Sequence, residues 1–184
     1  MVFLEAPEQL LAERRRLGLD GRDEMWEDEL HMVPPPSFGH QEREAALAAV
    51  LLPVARSLRL RLATEPGLYG ADGGWRVPEL AVVRPEHVTH RGVEGGAALV
   101  VEIRSPGDET DAKIPFYERF GVEELLIVDR DSAAVRLLRR GIGGLVAVPA
   151  DATGWVDSSL EVAFRPASGN VLEVRLTDGH LERC

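Results

Sequence analysis

Two glutamates in apolar segments and one lysine are the residues whose types and spacing could carry out chemistry. Glu102 lies near the end of the apolar run AALVVEI (97–103), and Glu79 interrupts the apolar run WRVPELAVV (75–83). A carboxylate buried in such a run is costly unless a cation, a hydrogen-bond donor or a metal ion compensates it. Lys113 follows in a loop-to-helix segment that is expected to return over the end of the strand carrying Glu102.

Two carboxylates and one ammonium group are a suitable set for metal-dependent hydrolysis. Carboxylate oxygens bind Mg²⁺, which keeps several of its waters, and the metal polarises a phosphate and lowers the pKa of a bound water. The lysine can position that water and stabilise the charge that develops on the phosphate. We therefore predict a hydrolytic metal site formed by Glu79, Glu102 and Lys113.

The cation usage of the chain supports a special role for the lysine. Of the 21 basic residues, all are arginine except Lys113. An ammonium is a compact charge, whereas a guanidinium is a planar group with several hydrogen-bond donors. A single retained lysine therefore favours a role that needs the compact ammonium.

Each of the three residues also has an ordinary explanation. Glu102 can reach solvent at the end of its strand, or it can pair with Arg104. Glu79 can be an exposed carboxylate that precedes the buried part of its strand, and Lys113 can be a surface lysine with acidic neighbours. That all three explanations hold at once is the less favoured interpretation.

The order of the predicted elements indicates how these residues are brought together. Val33–Ser37 is a rigid, non-helical entry segment, and Ser37 is the predicted N-cap of a helix over 38–60, which Pro53 is expected to kink or divide. Strands are predicted over 58–65, 75–83, 97–103 and 124–130, with a helix over 109–120 that ends at Gly121. The strand–helix–strand order at 97–130 predicts a parallel crossover, and the hairpin-like strands on either side predict a mixed sheet. The rest of the chain is typical of a meander of antiparallel strands, with a hairpin turn at 141–144.

Composition limits the class of protein. The chain has 184 residues, a formal net charge of -10 and a single cysteine, Cys184. No apolar run approaches the roughly 20 residues that span a bilayer, and one cysteine excludes a disulfide framework and a cysteine-based zinc site. We expect a cytoplasmic protein without a membrane contact. The acidic charge argues against a broadly basic nucleic-acid binder, although a local arginine cluster could still serve a nuclease.

In combination, three segments resemble a known family. VPELAVV, LVVEIRSPGDET and DAKIPFYERFGVEELLIVD are similar to the core of the Uma-type restriction endonuclease family, which belongs to the PD-(D/E)xK nuclease superfamily. The upstream segment ELHMVPPPSFGHQ resembles the N-terminal signature of the same family. The resemblance covers the chain from about Glu29 to about Asp129, and its ordered combination of segments is specific.

The resemblance implies a role for each motif residue. Pro78-Glu79 matches the "PD" position, so that Glu79 is the first metal ligand, and Glu102 matches the acid of the second half-motif. Lys113 matches the displaced lysine of the family, and the backbone carbonyl of Ile103 is a further metal ligand. The implied fold is α/β: a restriction-endonuclease-like mixed β-sheet flanked by helices, with additional antiparallel strands. Residues 1–30 would form an N-terminal helical arm and 31–184 a single domain.

The resemblance also implies an activity, a cofactor and partners. It predicts an endonuclease that hydrolyses DNA phosphodiester bonds with Mg²⁺ or Mn²⁺ and acts as a homodimer. Four candidate accessory residues accompany the motif: His40, Glu44, Arg104 and Asp111. Two departures from the superfamily pattern are the glutamate at position 79, where aspartate is usual, and Arg104, which stands where the motif lysine usually does. By strand alternation Arg104 shares a face with Glu102, where it could pair with it or contact a phosphate.

Two other functions stay open at the level of the sequence. The chain could be a catalytically impaired nuclease-fold module that binds nucleic acid or a protein partner, which the glutamate at position 79 and the acidic charge favour. It could also be a hydrolase of small phosphorylated molecules.

Overall fold

The computed structural model describes residues 2–3, 7–18 and 20–184 of the chain. Within those residues lie three α-helices and fifteen strands. In chain order they are β1 (Val2–Phe3), α1 (Glu8–Leu17), β2 (Glu24–Trp26), β3 (Glu29–His31), α2 (Phe38–Ser57), β4 (Arg61–Thr64), β5 (Leu68–Tyr69), β6 (Trp75–Arg76), β7 (Leu80–Val83), β8 (Ala97–Arg104), α3 (Ile114–Phe120), β9 (Val122–Asp129), β10 (Val135–Gly141), β11 (Gly144–Ala147), β12 (Val156–Asp157), β13 (Ala163–Ala167), β14 (Val171–Arg175) and β15 (Leu181–Arg183).

A six-stranded mixed sheet forms the centre of the fold, in the order β11-β10-β9-β8-β7-β4. β8 and β9 are parallel and are joined through α3. The other pairs of neighbouring strands in this sheet are antiparallel. The predicted crossover and the predicted mixed sheet are therefore confirmed. Every residue of β8 except Arg104 is buried, which explains why this strand reads as a continuous apolar run: both faces of the sheet are covered.

The two faces of the sheet are covered by different elements. On one face Leu99 and Val101 of β8 pack in a core with Leu47 and Leu51 of α2. On the other face Val100 belongs to a second core, together with Phe116, Tyr117 and Phe120 of α3. Because strand side chains alternate, Glu102 points to the same face as Val100 and therefore towards α3.

The helices begin and end largely where the sequence predicts. Ser37 caps α2, since its hydroxyl oxygen accepts a hydrogen bond from the His40 backbone N–H at 3.4 Å, and α2 continues through Pro53 without division. A 3₁₀ turn at Thr110–Lys113 runs directly into α3. The helix ends at Gly121, whose φ of 94° is a left-handed conformation that favours glycine.

The predicted strand over 75–83 is corrected by the structure, because it consists of two strands in different sheets. β6 belongs to a five-stranded sheet in the order β1-β3-β2-β6-β5, and β7 belongs to the central sheet. Pro78 lies in the connection and cannot donate a hydrogen bond to a ladder. Glu79 therefore lies immediately before β7, at the point where the chain enters the central sheet.

The N-terminal segment contains both a predicted and an unpredicted feature. A short helix is observed there, as α1. β2 and β3 form a hairpin, and β2 also pairs with β6 through Met25 and Trp75. The sequence did not indicate these strands, because each has only three residues and their pairing partners are set by the tertiary fold. The division of the chain into an arm and a domain stays a prediction.

The C-terminal segment forms the predicted antiparallel meander, as a four-stranded sheet in the order β12-β13-β14-β15. Phe164 and Leu172 of this sheet pack in the same core as α2. The glycine-rich segment 141–144 is a hairpin turn, as predicted, because Gly141 and Gly144 are paired at the ends of β10 and β11. Of the helices in the described part of the chain, none is long and apolar enough to cross a membrane.

A buried carboxylate joins the central sheet to the segment before β13. Glu124 of β9 is fully buried and accepts hydrogen bonds from Arg139, from the Ser158 hydroxyl and from the Ser159 backbone N–H. Its neighbour Glu123 has a side chain that is 43% exposed and pairs with Arg84 at the surface.

We expect Glu124→Ala to lower the free energy of unfolding by about 1–3 kcal/mol, because the buried Ser158 hydroxyl would lose its acceptor. Glu123→Ala is the matched control, and an exposed ion pair should change stability by less than about 0.5 kcal/mol. Urea denaturation of the three proteins measures both values. Equal losses in the two variants would contradict the anchoring role of Glu124.

Candidate active site

Glu79 and Glu102 face each other across two neighbouring strands. β7 and β8 pair antiparallel with Leu80 opposite Val101 and Ala81 opposite Val100. Continuing this register by one residue places Glu79 opposite Glu102, on the same face of the sheet. Like charges in directly opposite positions repel, so the two carboxylates can be held there only by surrounding donors and cations.

Both carboxylate oxygens of Glu79 have partners. Oε1 lies 3.0 Å from Nε2 of His40 on α2, and Oε2 accepts a hydrogen bond of 2.8 Å from the Ile103 backbone N–H. Burial raises the pKa of Glu79, but the hydrogen bond to His40, the Lys113 ammonium and the Ile103 N–H together hold this pKa below its ordinary value. Glu79 is therefore held as a carboxylate beside Glu102.

Glu102 is the more deeply buried of the two acids. Its side chain is 2% exposed, which excludes the explanation that it reaches solvent at the end of its strand. Lys113 Nζ lies 3.2 and 3.3 Å from its two oxygens, and the Tyr117 hydroxyl donates to Oε1. Burial, together with the charges of Glu79 and Glu24, raises the pKa of Glu102 to about 8, against the opposing effects of Lys113 and Tyr117.

Lys113 is positioned at the junction of the 3₁₀ turn and α3. Tyr117 follows it by one helical turn, so both side chains reach the same end of β8. Burial lowers the pKa of Lys113, but the charges of Glu102, Glu24 and Glu79 raise it by more, so the net shift is upward. The lysine is thus a buried ammonium and not a surface cation.

The structure brings together the three residues on which the sequence prediction rests, and it adds two that the prediction missed. Glu24 of β2 is 1% exposed, and its Oε1 lies 3.0 Å from Lys113 Nζ. The sequence does not single out Glu24, because its strand has only three residues and the segment around it carries many charged residues. Tyr117 could have been found, because a tyrosine four residues after a candidate lysine lies on the same side of a helix.

The four candidate accessory residues separate into two pairs. His40 contacts Glu79 directly. Glu44 is buried on the next turn of α2, where burial and the charge of Glu79 raise its pKa. Arg104 instead pairs with Asp129 of β9 at 3.3 Å and lies 3.9 Å from Asp111. Asp111 also pairs with Arg136, so among the described contacts Arg104 and Asp111 belong to a neighbouring ion-pair group and not to the site.

The site opens into a cleft of about 500 Å³. One wall is the segment 31–37 with its three prolines, and the other is the loop 105–109. His31 and Glu109 lie 3.3 Å apart, one from each wall.

The lining of the cleft is acidic. Its carboxylate side chains are Glu24, Glu65, Glu79, Glu102, Asp108 and Glu109. Its basic side chains other than histidine are Arg22, which pairs with Glu65, and Lys113, which pairs with Glu24 and Glu102. Negative charge therefore exceeds positive charge in the cleft.

The donor set suits a hard divalent cation. Among the described residues no group of three or more histidine, cysteine or acidic side chains is arranged as a metal site. Mg²⁺ is usually held by only one or two carboxylates, together with water and substrate phosphates. Glu79 and Glu102 provide two carboxylates in adjoining positions, and hydrogen bonds from neighbouring groups orient them, as is common for metal ligands.

The hydroxyl of Tyr117 is a testable support of this arrangement. We expect Tyr117→Phe to reduce the free energy of unfolding by about 1–3 kcal/mol, because buried Glu102 loses a hydrogen-bond donor. Tyr69→Phe is the matched control, since Tyr69 is the other tyrosine and its ring contact with Arg91 is retained by phenylalanine. Thermal or urea unfolding compares them, and a Tyr117 variant as stable as wild type would contradict this role.

Comparisons with known proteins agree with this fold. A crystal structure of a putative nuclease belonging to DUF820 from Anabaena variabilis is similar, with a TM-score of 0.57 and 20% sequence identity. The match covers 74% of this chain and 86% of that chain, and it confirms the α/β fold. No curated protein matches the chain. The model of the Uma2 family, described as "Putative restriction endonuclease", matches residues 8–165. Because this match spans most of the sequence, the chain belongs to the Uma2 family.

Proposed function

We propose that this protein is an endonuclease that hydrolyses DNA phosphodiester bonds with Mg²⁺ or Mn²⁺. The observation that carries the proposal is the convergence of the three residues in one cleft. Lys113 Nζ lies 3.2 Å from Glu102, and Glu79 stands opposite Glu102 in the strand register. Membership of a family described as a restriction endonuclease supports the same reaction class.

The metal would be held by the carboxylates of Glu79 and Glu102 and by the backbone carbonyl of Ile103. When bound, the metal would polarise the phosphate and lower the pKa of a water molecule. A cation also fits the charge of the site, because the described lining of the cleft holds the carboxylates of Glu24, Glu79 and Glu102 but only one ammonium, that of Lys113.

The remaining groups of the chain have supporting tasks. Lys113 carries a fixed positive charge at the edge of the carboxylate pair, where it can orient a water molecule and stabilise negative charge on a phosphate. Tyr117 and the Ile103 N–H hold one oxygen of each acid in place. His40 lies 3.0 Å from the other oxygen of Glu79 and so restricts the orientation of that carboxylate.

The acidic lining has a consequence for substrate binding. A phosphate backbone is repelled by the unbalanced carboxylates, and both basic residues of the lining are already paired. Divalent cations would therefore support the approach of DNA as well as the reaction itself.

The same lining favours a second candidate, a nuclease-fold module that has lost activity and binds a partner. The absence of a basic groove among the described lining residues also suits a hydrolase of small phosphorylated molecules. The inactive module differs from the endonuclease in whether the site binds metal. The small-molecule hydrolase differs from it in which phosphodiester is cleaved. The homodimer stays a prediction, which sedimentation analysis would test.

Cleavage of supercoiled and linear DNA with added Mg²⁺ or Mn²⁺ tests the leading proposal. We expect Glu79→Gln and Glu102→Gln to lower the cleavage rate by roughly 100-fold or more, because each replaces a carboxylate that would hold the metal with a neutral amide. Lys113→Ala should lower it as well.

Glu86→Gln is the control for the change of charge, since Glu86 is exposed and lies outside the cleft. Its cleavage rate should match that of wild type. If Lys113→Ala cleaves as fast as wild type, or if no DNA is cleaved, the endonuclease proposal fails. Cleavage of a small phosphodiester alone would favour the third candidate.

Isothermal titration calorimetry with Mn²⁺ and Mg²⁺ separates an enzyme from an inactive binding module. We expect wild type and Glu86→Gln to bind the metal and Glu102→Gln to lose most of that binding, because a carboxylate ligand is replaced by a neutral amide. Absence of binding in wild type, or binding that Glu102→Gln leaves unchanged, would support the module.

A further inference from the structure

A second buried carboxylate contacts the lysine, and it comes from outside the family motif. Glu24 lies on β2, far from Lys113 in sequence, and its Oε1 is 3.0 Å from Lys113 Nζ. Glu102 contacts the same nitrogen at 3.2 Å. The ammonium is therefore held between two carboxylates that belong to different sheets.

Glu24 is itself held rigidly. The indole N–H of Trp26 donates to Oε2 at 2.8 Å, and the backbone N–H of Val77 donates to Oε1 at 2.8 Å. Pairing of Met25 with Trp75 fixes β2 against β6. These contacts leave the carboxylate with one orientation, in which Oε1 faces the lysine.

We propose that Glu24 is a positioning residue that sets the place of the Lys113 ammonium for phosphodiester hydrolysis. This inference rests on the proposed nuclease function. A lysine side chain has four rotatable bonds and loses roughly 2 kcal/mol of rotamer entropy when it is fixed. One partner leaves such a chain free to rotate about that contact, whereas two partners from different sheets define the position of the nitrogen.

Glu24 also links the lysine to the first acid of the motif. Val77, which donates to Glu24, stands two residues before Glu79, with Pro78 between them. The same carboxylate thus contacts the segment that presents Glu79 and the side chain that neutralises Glu102. Displacement of Glu24 should alter the relative placement of the lysine and the acid pair, without removing any group that touches the phosphate.

Glu24→Gln is the decisive variant, because the amide retains the shape of the side chain and loses its charge. We expect kcat to fall by about 10–100-fold with little change in KM, as is typical when a supporting partner of a site is changed. Trp26→Phe should lower kcat by a smaller factor, since it keeps an aromatic side chain beside His31 and Arg76 and removes the N–H that orients Glu24. Glu27→Gln is the matched control with the same change of charge, on an exposed residue of the same hairpin, and it should behave as wild type.

A second measurement reports on the lysine directly and does not depend on activity. Lys113 is the only lysine, so protein made with ¹³Cε,¹⁵Nζ-labelled lysine gives a single side-chain NMR signal. At one fixed pH we expect this signal to shift and its Nζ protons to exchange faster with water in Glu24→Gln, and to stay unchanged in Glu27→Gln. The backbone spectrum of each variant shows whether it is folded, and Trp26→Phe replaces Glu24→Gln if the latter does not fold.

The outcomes separate the two proposals. A lysine signal that Glu24→Gln leaves unmoved overturns the positioning role, even if the rate falls, and an unchanged kcat in an active enzyme overturns it as well. If wild type cleaves no DNA while the lysine signal moves as expected in Glu24→Gln, the nuclease proposal fails. The conclusion that Glu24 positions Lys113 is then retained.

Discussion

The burial of two glutamates in opposite positions of neighbouring strands is the constraint on which the rest of the site depends. Glu79 and Glu102 stand next to each other on the face of the sheet that α3 covers, at the end of an otherwise apolar strand pair. Their repulsion and desolvation oppose folding. Each neighbouring element contributes a group that offsets this cost: α2 provides His40, β8 the Ile103 N–H, and the α3 region Lys113 and Tyr117.

The compensation is incomplete, so the charges of the site are not balanced. Glu24 is a second carboxylate against the one ammonium, and burial together with the charges of Glu79 and Glu24 raises the pKa of Glu102 to about 8. Structural ion pairs are usually balanced, whereas strongly shifted groups in a cleft are typical of functional sites. The excess of negative charge matches the requirement of a hard divalent cation, which is why the proposed function includes a metal.

The chain uses short elements to build the walls of the cleft. The β2–β3 hairpin and the proline segment that follows it close one side, and the loop after β8 closes the other. Through Glu24, the hairpin also contacts the lysine at the centre of the site. The N-terminal segment thus contributes to the site itself, although nothing in its local pattern distinguishes it from a charged surface arm.

The sequence alone determined the central part of the fold and the candidate trio. Continuous apolar runs, a helix with a serine cap and a glycine stop specify β8, α2, α3 and β9, because local patterning and burial act within each segment. The polar residues that interrupt those runs identify Glu79 and Glu102. Only the tertiary structure decided that residues 75–83 divide between two sheets, that Arg104 pairs with Asp129, and that Glu24 reaches Lys113. Those outcomes depend on which distant strands pair and on which charged side chains meet. Strands of two or three residues, such as β2 and β6, are too short to show a periodic pattern in the sequence.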